Sequence, residues 1–137
     1  MDSSAVVLFL TDRGSRGAAA RRRIGEEDAL AAPHLLDTEV ASALLGMARG
    51  AKIATASLDE HFKTYQGLRL QRHETGLLLP RVRQLYANLS AYDATYVALA
   101  EALGVPLLTA DARIERGVQR PRCGIEVITA GDGAPTT

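Results

Sequence analysis

The sequence predicts an α/β fold in which short buried strands alternate with helices. The clearest evidence is the stretch Asn88–Asp111, which holds a helix and the strand that follows it. Ser90 is a good N-cap residue for that helix, and Gly104 stops it. The apolar run Val105–Thr109 then indicates a buried strand. Because such runs alternate with helical patterns along the chain, we expect a mostly parallel sheet covered by helices on both faces.

The other elements follow in the same alternating order. Further helices are predicted over residues 14–27, 34–49 (opened by Pro33), 54–67 and 77–88, with one helical turn over residues 111–117. Further strands are predicted over residues 28–32, 68–73 and 125–128. The central helix is expected to bury an apolar stripe of Tyr92, Tyr96, Leu99 and Leu103. One domain is expected over residues 1–130, followed by a disordered Gly/Pro/Thr tail over residues 131–137.

Composition limits the classes of function. The 137-residue chain is 47% hydrophobic and 23% charged, which is ordinary for a soluble globular domain. Its formal net charge is zero, which argues against bulk binding of polyanions. Cys123 is the single cysteine, so an internal disulfide is excluded and a reducing compartment is expected. Since no apolar run is long enough to span a bilayer, we expect a cytoplasmic protein that does not enter a membrane.

Four acidic residues are candidates for a metal site: Asp2, Glu39, Asp93 and Asp111. Asp93 lies in the first turn of the central helix and Asp111 just past the following strand, and ligand sites gather at the carboxyl ends of strands. Glu39 lies within an apolar helical stripe, where a carboxylate is costly unless it is paired or coordinated. Mg²⁺ and Mn²⁺ prefer carboxylate oxygens, and two such ions can activate a water for phosphodiester hydrolysis.

Each of these carboxylates also has a purely structural interpretation, which the residues alone leave open. Asp93 is three residues after Ser90, the spacing of an acidic capping box. Asp111 is placed to cap the short turn after its strand. Glu39 suits a buried ion pair with an arginine, and Asp2 suits a frayed terminal residue.

Longer motifs connect these residues to a known family. The motifs are Asp2–Ala5, Ala32–Val40, Leu89–Ala100 and Leu107–Asp111. In this order and spacing they resemble the PIN-domain ribonucleases, specifically the VapC-type toxins of bacterial toxin–antitoxin pairs, over nearly the whole chain. The resemblance implies a PIN-like three-layer α/β/α domain and an endoribonuclease that uses Mg²⁺ or Mn²⁺.

The resemblance also assigns roles to single residues. Asp2 and Asp93 would be the principal metal ligands, and Glu39 and Asp111 would hold a second ion or orient the attacking water. Ser4 matches a small polar residue that supports the pocket. The expected partners are an RNA substrate, a cognate antitoxin protein and a second copy of the chain in a homodimer.

The start of the chain departs from the family pattern. The family normally has several apolar residues before its first Asp, which form a central first strand, whereas only Met1 precedes Asp2 here. We therefore expect either a start upstream or a shortened strand, with Asp2 poorly held.

Two functions remain as alternatives to the ribonuclease: a catalytically impaired PIN-fold interaction module, or a metal-dependent phosphatase. The phosphatase usually needs a second Asp two residues after the first, and this chain has Ser4 there.

An antitoxin would need a surface to bind. The segments Ala5–Leu10 and Ala54–Leu68 offer apolar residues for a groove that accepts an amphipathic helix, with the acidic pocket beyond accepting an arginine from the same partner. The residues proposed for the groove are Val6, Leu8, Phe9, Leu58, Phe62 and Tyr65.

Overall fold

The computed structural model describes residues 1–131, and within them the chain forms seven α-helices and four short β-strands. The helices are α1 (Ser3–Thr11), α2 (Ser15–Gly25), α3 (Leu35–Arg49), α4 (Leu58–Gln66), α5 (Leu79–Gln84), α6 (Ala91–Leu103) and α7 (Ala112–Gly117). The strands are β1 (Leu30–Pro33), β2 (Leu70–His73), β3 (Leu107–Thr109) and β4 (Ile125–Val127). The predicted tail, residues 131–137, lies outside the described residues apart from Gly131.

The strands are parallel, as predicted, and they form two pairs. In β1 and β2, Leu30 lies opposite Leu70 and the register continues to the ends of both strands. In β3 and β4, Leu107 lies opposite Ile125. Over residues 1–131 the strands therefore form two two-stranded sheets, β1–β2 and β3–β4. The alternation of helices with parallel strands confirms the α/β prediction.

The first two residues connect the two pairs. The amino group of Met1 donates a hydrogen bond to the carbonyl of Ala31 in β1 at 3.3 Å. The backbone N–H of Asp2 donates to the carbonyl of Leu108 in β3 at 3.0 Å. The chain then enters α1 directly, so Asp2 is placed next to the end of β3.

Local signals predicted α6 accurately. The Ser90 hydroxyl accepts a hydrogen bond from the backbone N–H of Asp93 at 3.1 Å, which is an N-cap. Gly104 adopts the left-handed conformation that ends helices, with φ of +67°. Elsewhere the structure differs: Pro33 ends β1 and does not open α3, and the helix expected over 77–88 is reduced to a 3₁₀ turn and α5.

The buried part of α6 is wider than a single stripe. Ala94 and all five residues from Tyr96 to Ala100 are buried. Five consecutive residues exceed one helical turn, so the middle of α6 is enclosed on all sides, and β1, β3 and α5 all contact the helix. The predicted stripe is wrong at its ends, because the Tyr92 side chain is 59% exposed and Leu103 is also exposed.

The proposed groove residues divide into two groups. Val6 and Tyr65 are buried in the core, so they are not available to a partner. The other members lie where α1 and α4 contact each other, partly buried against the core. They are Leu8, Phe9, Leu58 and Phe62.

Among the helices of residues 1–131, none has the length and apolarity needed to cross a membrane.

Candidate active site

Asp2 is the most firmly held of the four carboxylates. Its side chain is only 3% exposed. Oδ1 accepts hydrogen bonds from the Ser4 hydroxyl at 2.7 Å and from the Ala5 N–H at 3.0 Å, which caps α1. Oδ2 accepts from the Thr109 hydroxyl at 2.5 Å. Burial raises the pKa of Asp2, and the hydrogen bonds oppose that shift. The expectations of a frayed or poorly held Asp2 are therefore wrong, because donors from α1 and β3 fix it.

The same network reaches Asp111 through two hydroxyls. The Ser4 oxygen accepts from the Ala110 N–H at 2.9 Å and lies 3.1 Å from the Thr109 hydroxyl oxygen. That Thr109 oxygen in turn accepts from the Asp111 N–H at 3.0 Å. Asp2 thus fixes the backbone that carries Asp111, and Ser4 lies where a supporting residue would have to lie.

Glu39 pairs with a tyrosine. The Tyr96 hydroxyl on α6 donates to Glu39 Oε1 on α3 at 2.5 Å. The pKa of Tyr96 is raised first by burial and then by Glu39, with a further contribution from the charge of Asp2. A neutral hydroxyl therefore takes the place of the ion pair with arginine that the sequence left open.

The pKa of Asp93 responds to the charge of Asp111. Asp93 is half-buried, and its pKa is raised first by burial and then by the negative charge of Asp111. The Ser90 hydrogen bond and the positive charge of Arg113 oppose that rise. The negative charge of Asp111 therefore disfavours the ionised form of Asp93.

Asp111 combines a capping role with an ion pair. Its Oδ1 accepts from the Arg113 backbone N–H at 3.0 Å and so caps α7. The Arg113 guanidinium also binds both carboxylate oxygens, with Nε 3.0 Å from Oδ1 and Nη2 2.8 Å from Oδ2. This contact lowers the pKa of Asp111. The Arg113 side chain is 81% exposed, so solvent surrounds the pair and its net free energy is small.

Carboxylate oxygens are the donors that a hard divalent cation prefers. No group of three or more His, Cys, Asp or Glu residues within the described range is arranged to hold a metal ion. Mg²⁺, however, typically takes only one or two protein carboxylates and completes its shell with water and substrate phosphate. The metal-binding roles of Asp2, Glu39, Asp93 and Asp111 therefore stay predictions.

Sequence reasoning missed three side chains that bind these carboxylates: Thr109, Tyr96 and Arg113. Thr109 is a polar residue at the end of an otherwise apolar strand. That position could have indicated a hydroxyl that bonds to one of the carboxylates. Tyr96 was interpreted only as part of the core, although a buried tyrosine usually needs a partner for its hydroxyl. Arg113 lies two residues after a capping Asp, within reach of it by local geometry alone.

The chain is similar to known proteins along most of its length. The family model described as PIN domain matches residues 1–118. Ribonuclease VapC9 of Mycobacterium tuberculosis is 39% identical over 128 residues, which cover 93% of this chain and 96% of that relative. Ribonuclease VapC1 of the same organism is 36% identical over 129 residues, with the same coverages of 93% and 96%. Ribonuclease VapC3 is 35% identical over 116 residues, covering 85% and 84%.

Proposed function

The chain belongs to the PIN domain family, among the VapC ribonucleases, and on that premise we propose that it is a metal-dependent endoribonuclease and the toxin of a toxin–antitoxin pair. The observation that supports the metal-dependent chemistry is the hydrogen-bond network that joins Asp2 through Thr109 to the backbone of Asp111, with Asp93 near enough for the charge of Asp111 to raise its pKa. Carboxylates gathered in this way favour a divalent cation, and such a cation can activate a water for phosphodiester hydrolysis.

In this proposal the four carboxylates act differently. Asp93 and Asp111 would hold Mg²⁺ or Mn²⁺, which would supply an activated water and charge for the leaving oxygen. Asp2 was predicted to be a principal ligand, but it is nearly inaccessible, so we assign it the role of supplying negative charge and fixing Thr109 and the backbone of Asp111. Glu39 is oriented by the Tyr96 hydroxyl and adds negative charge or orients water.

The two alternatives lose support. The impaired-module alternative assumed that a shortened first strand costs activity, yet Met1 and Asp2 bond to β1 and β3 and the Asp2 side chain has three protein donors. The phosphatase alternative needs a carboxylate at position 4. Ser4 instead donates to Asp2 and accepts from Ala110, which is a structural arrangement.

The test is cleavage of labelled RNA by the purified chain, with Mg²⁺ and with a chelator. We expect cleavage only with metal, and Asp93→Asn should lower the rate by about 100-fold or more, because loss of even an outer-shell partner costs roughly 10- to 100-fold. Asp59→Asn is the matched control, since Asp59 is also in the first turn of a helix, α4, and is exposed. Full activity of Asp93→Asn would overturn the catalytic assignment.

The partners follow from the same premise. A cognate antitoxin would place an amphipathic helix on the partly buried residues between α1 and α4, and an arginine in the acidic pocket. We also expect a homodimer. Co-expression with the neighbouring small gene, affinity purification through this chain and measurement of the eluted mass test both expectations. Elution as a monomer without a small partner would count against the toxin role and leave the nuclease role standing.

A further inference from the structure

A pocket lies beside the acidic residues, between α3 and the first turn of α6. Its volume is about 430 Å³. The residues that define it are Ser3, Leu35, Thr38, Glu39, Ser42 and Tyr92. The pocket adjoins the site already described, because Glu39 is one of the four carboxylates and Tyr92 immediately precedes Asp93 in the chain.

The wall on α3 is one continuous helical face. Leu35, Thr38, Glu39 and Ser42 are spaced three and four residues apart, so their side chains share one side of the helix. Elsewhere, the helical hydroxyls of Thr11 and Thr95 donate to backbone carbonyls four residues earlier. Within the described part of the chain, those of Thr38 and Ser42 have no such protein partner, so both are available to a ligand as donors and acceptors.

The opposite wall is an exposed aromatic ring. Tyr92 is 59% exposed, whereas the middle of the helix that carries it is buried. A large ring left in solvent beside a catalytic carboxylate offers a flat surface for stacking. None of the described residues that line the pocket is basic, so it is not built to bind a phosphate.

We propose that this pocket binds one nucleobase of single-stranded RNA, next to the phosphodiester bond that is cleaved. The base stacks on Tyr92, and its polar edge pairs with the hydroxyls of Thr38 and Ser42. The proposal rests on the proposed ribonuclease function, since it places the base relative to the Asp93–Asp111 pair. Base–aromatic stacking is the common way in which proteins hold unpaired bases, and it tolerates different sequences.

The test measures RNA binding without cleavage, in protein that carries Asp93→Asn. Fluorescence anisotropy of a short labelled single-stranded RNA reports the dissociation constant. We expect Tyr92→Ala to weaken binding by about ten-fold or more, and Tyr92→Phe, which keeps the ring, to change it less than about two-fold. Tyr86→Ala is the matched control, because Tyr86 is 69% exposed and lies outside the pocket, with Arg83 over its ring.

A series of RNAs with single abasic positions sharpens the test. At one abasic position, the parent protein that retains Tyr92 should lose as much affinity as the Tyr92→Ala variant loses on intact RNA. The Tyr92→Ala variant should lose no further affinity on that abasic RNA. Three results would each overturn the base pocket. Tyr92→Ala could bind RNA as tightly as its parent, or Tyr92→Ala and Tyr92→Phe could lose RNA affinity equally. In the third, Tyr92→Ala would lose affinity for the antitoxin and keep its affinity for RNA. If the parent protein binds no RNA at all, the proposed ribonuclease function fails first, which is a distinguishable result.

Discussion

Asp2 and Asp93 are both carboxylates whose pKa is raised by burial, yet their surroundings differ. Asp2 is enclosed, and three protein donors satisfy its two oxygens. Asp93 is only half-buried, and the second cause of its raised pKa is another carboxylate, Asp111. In the proposed function, Asp2 maintains the frame of the site, whereas Asp93 and Asp111 would hold the cation.

The largest expected effect is on stability at Asp2. Asp2→Ala removes the cap of α1 and leaves the hydroxyls of Thr109 and Ser4 without their acceptor. We expect the free energy of unfolding to fall by about 3 kcal/mol, measured by urea denaturation. Asp2→Asn should cost less, because its amide oxygen can still accept from Ser4 and Ala5. An Ala variant as stable as the wild type would mean that the network does not hold the frame.

A smaller effect, of opposite sign, is expected at Asp93. Its folded pKa lies above the ordinary value of 3.8, so the folded state binds its proton more tightly than the unfolded state. The stability that this proton contributes is present at low pH and is lost as the pH rises from about 3.8 through the folded pKa. Without metal, Asp93→Asn should therefore gain stability over the wild type between about pH 4 and about pH 7. Thermal unfolding across that range measures it, and a variant that loses stability relative to the wild type as the pH rises would contradict the sign.

The smallest effect concerns Arg113. Its exposed guanidinium competes with a cation for the oxygens of Asp111, so Arg113→Ala should lower the Mg²⁺ concentration needed for half-maximal cleavage by a few-fold. Arg49→Ala, an exposed arginine in the last turn of α3, serves as the control and should leave that concentration unchanged. A higher Mg²⁺ requirement in Arg113→Ala would mean that Arg113 assists the metal.

Local chemistry made some elements predictable and others not. The ends of α6 follow from Ser90 and Gly104, whose effects act within one helical turn. The environment of Asp2 depends on Thr109, which is 107 positions away in the chain, so no local pattern reveals it. The pairing of Glu39 with Tyr96 likewise spans 57 positions. The motifs identified the four acidic candidates and the family, but the donors that bind those carboxylates required the fold.

The central claim, that Asp93 and Asp111 form the cation site, is tested most directly by paramagnetic broadening. Mn²⁺ titrated into the isotopically labelled protein broadens the NMR signals of the amides nearest the bound ion. The account predicts that the amides around Asp93 and Asp111 broaden first, that those of Glu39 and Thr109 follow, and that Asp93→Asn abolishes the effect at low Mn²⁺. First broadening at a different acidic cluster, such as Glu26 and Glu27 at the end of α2, would contradict it.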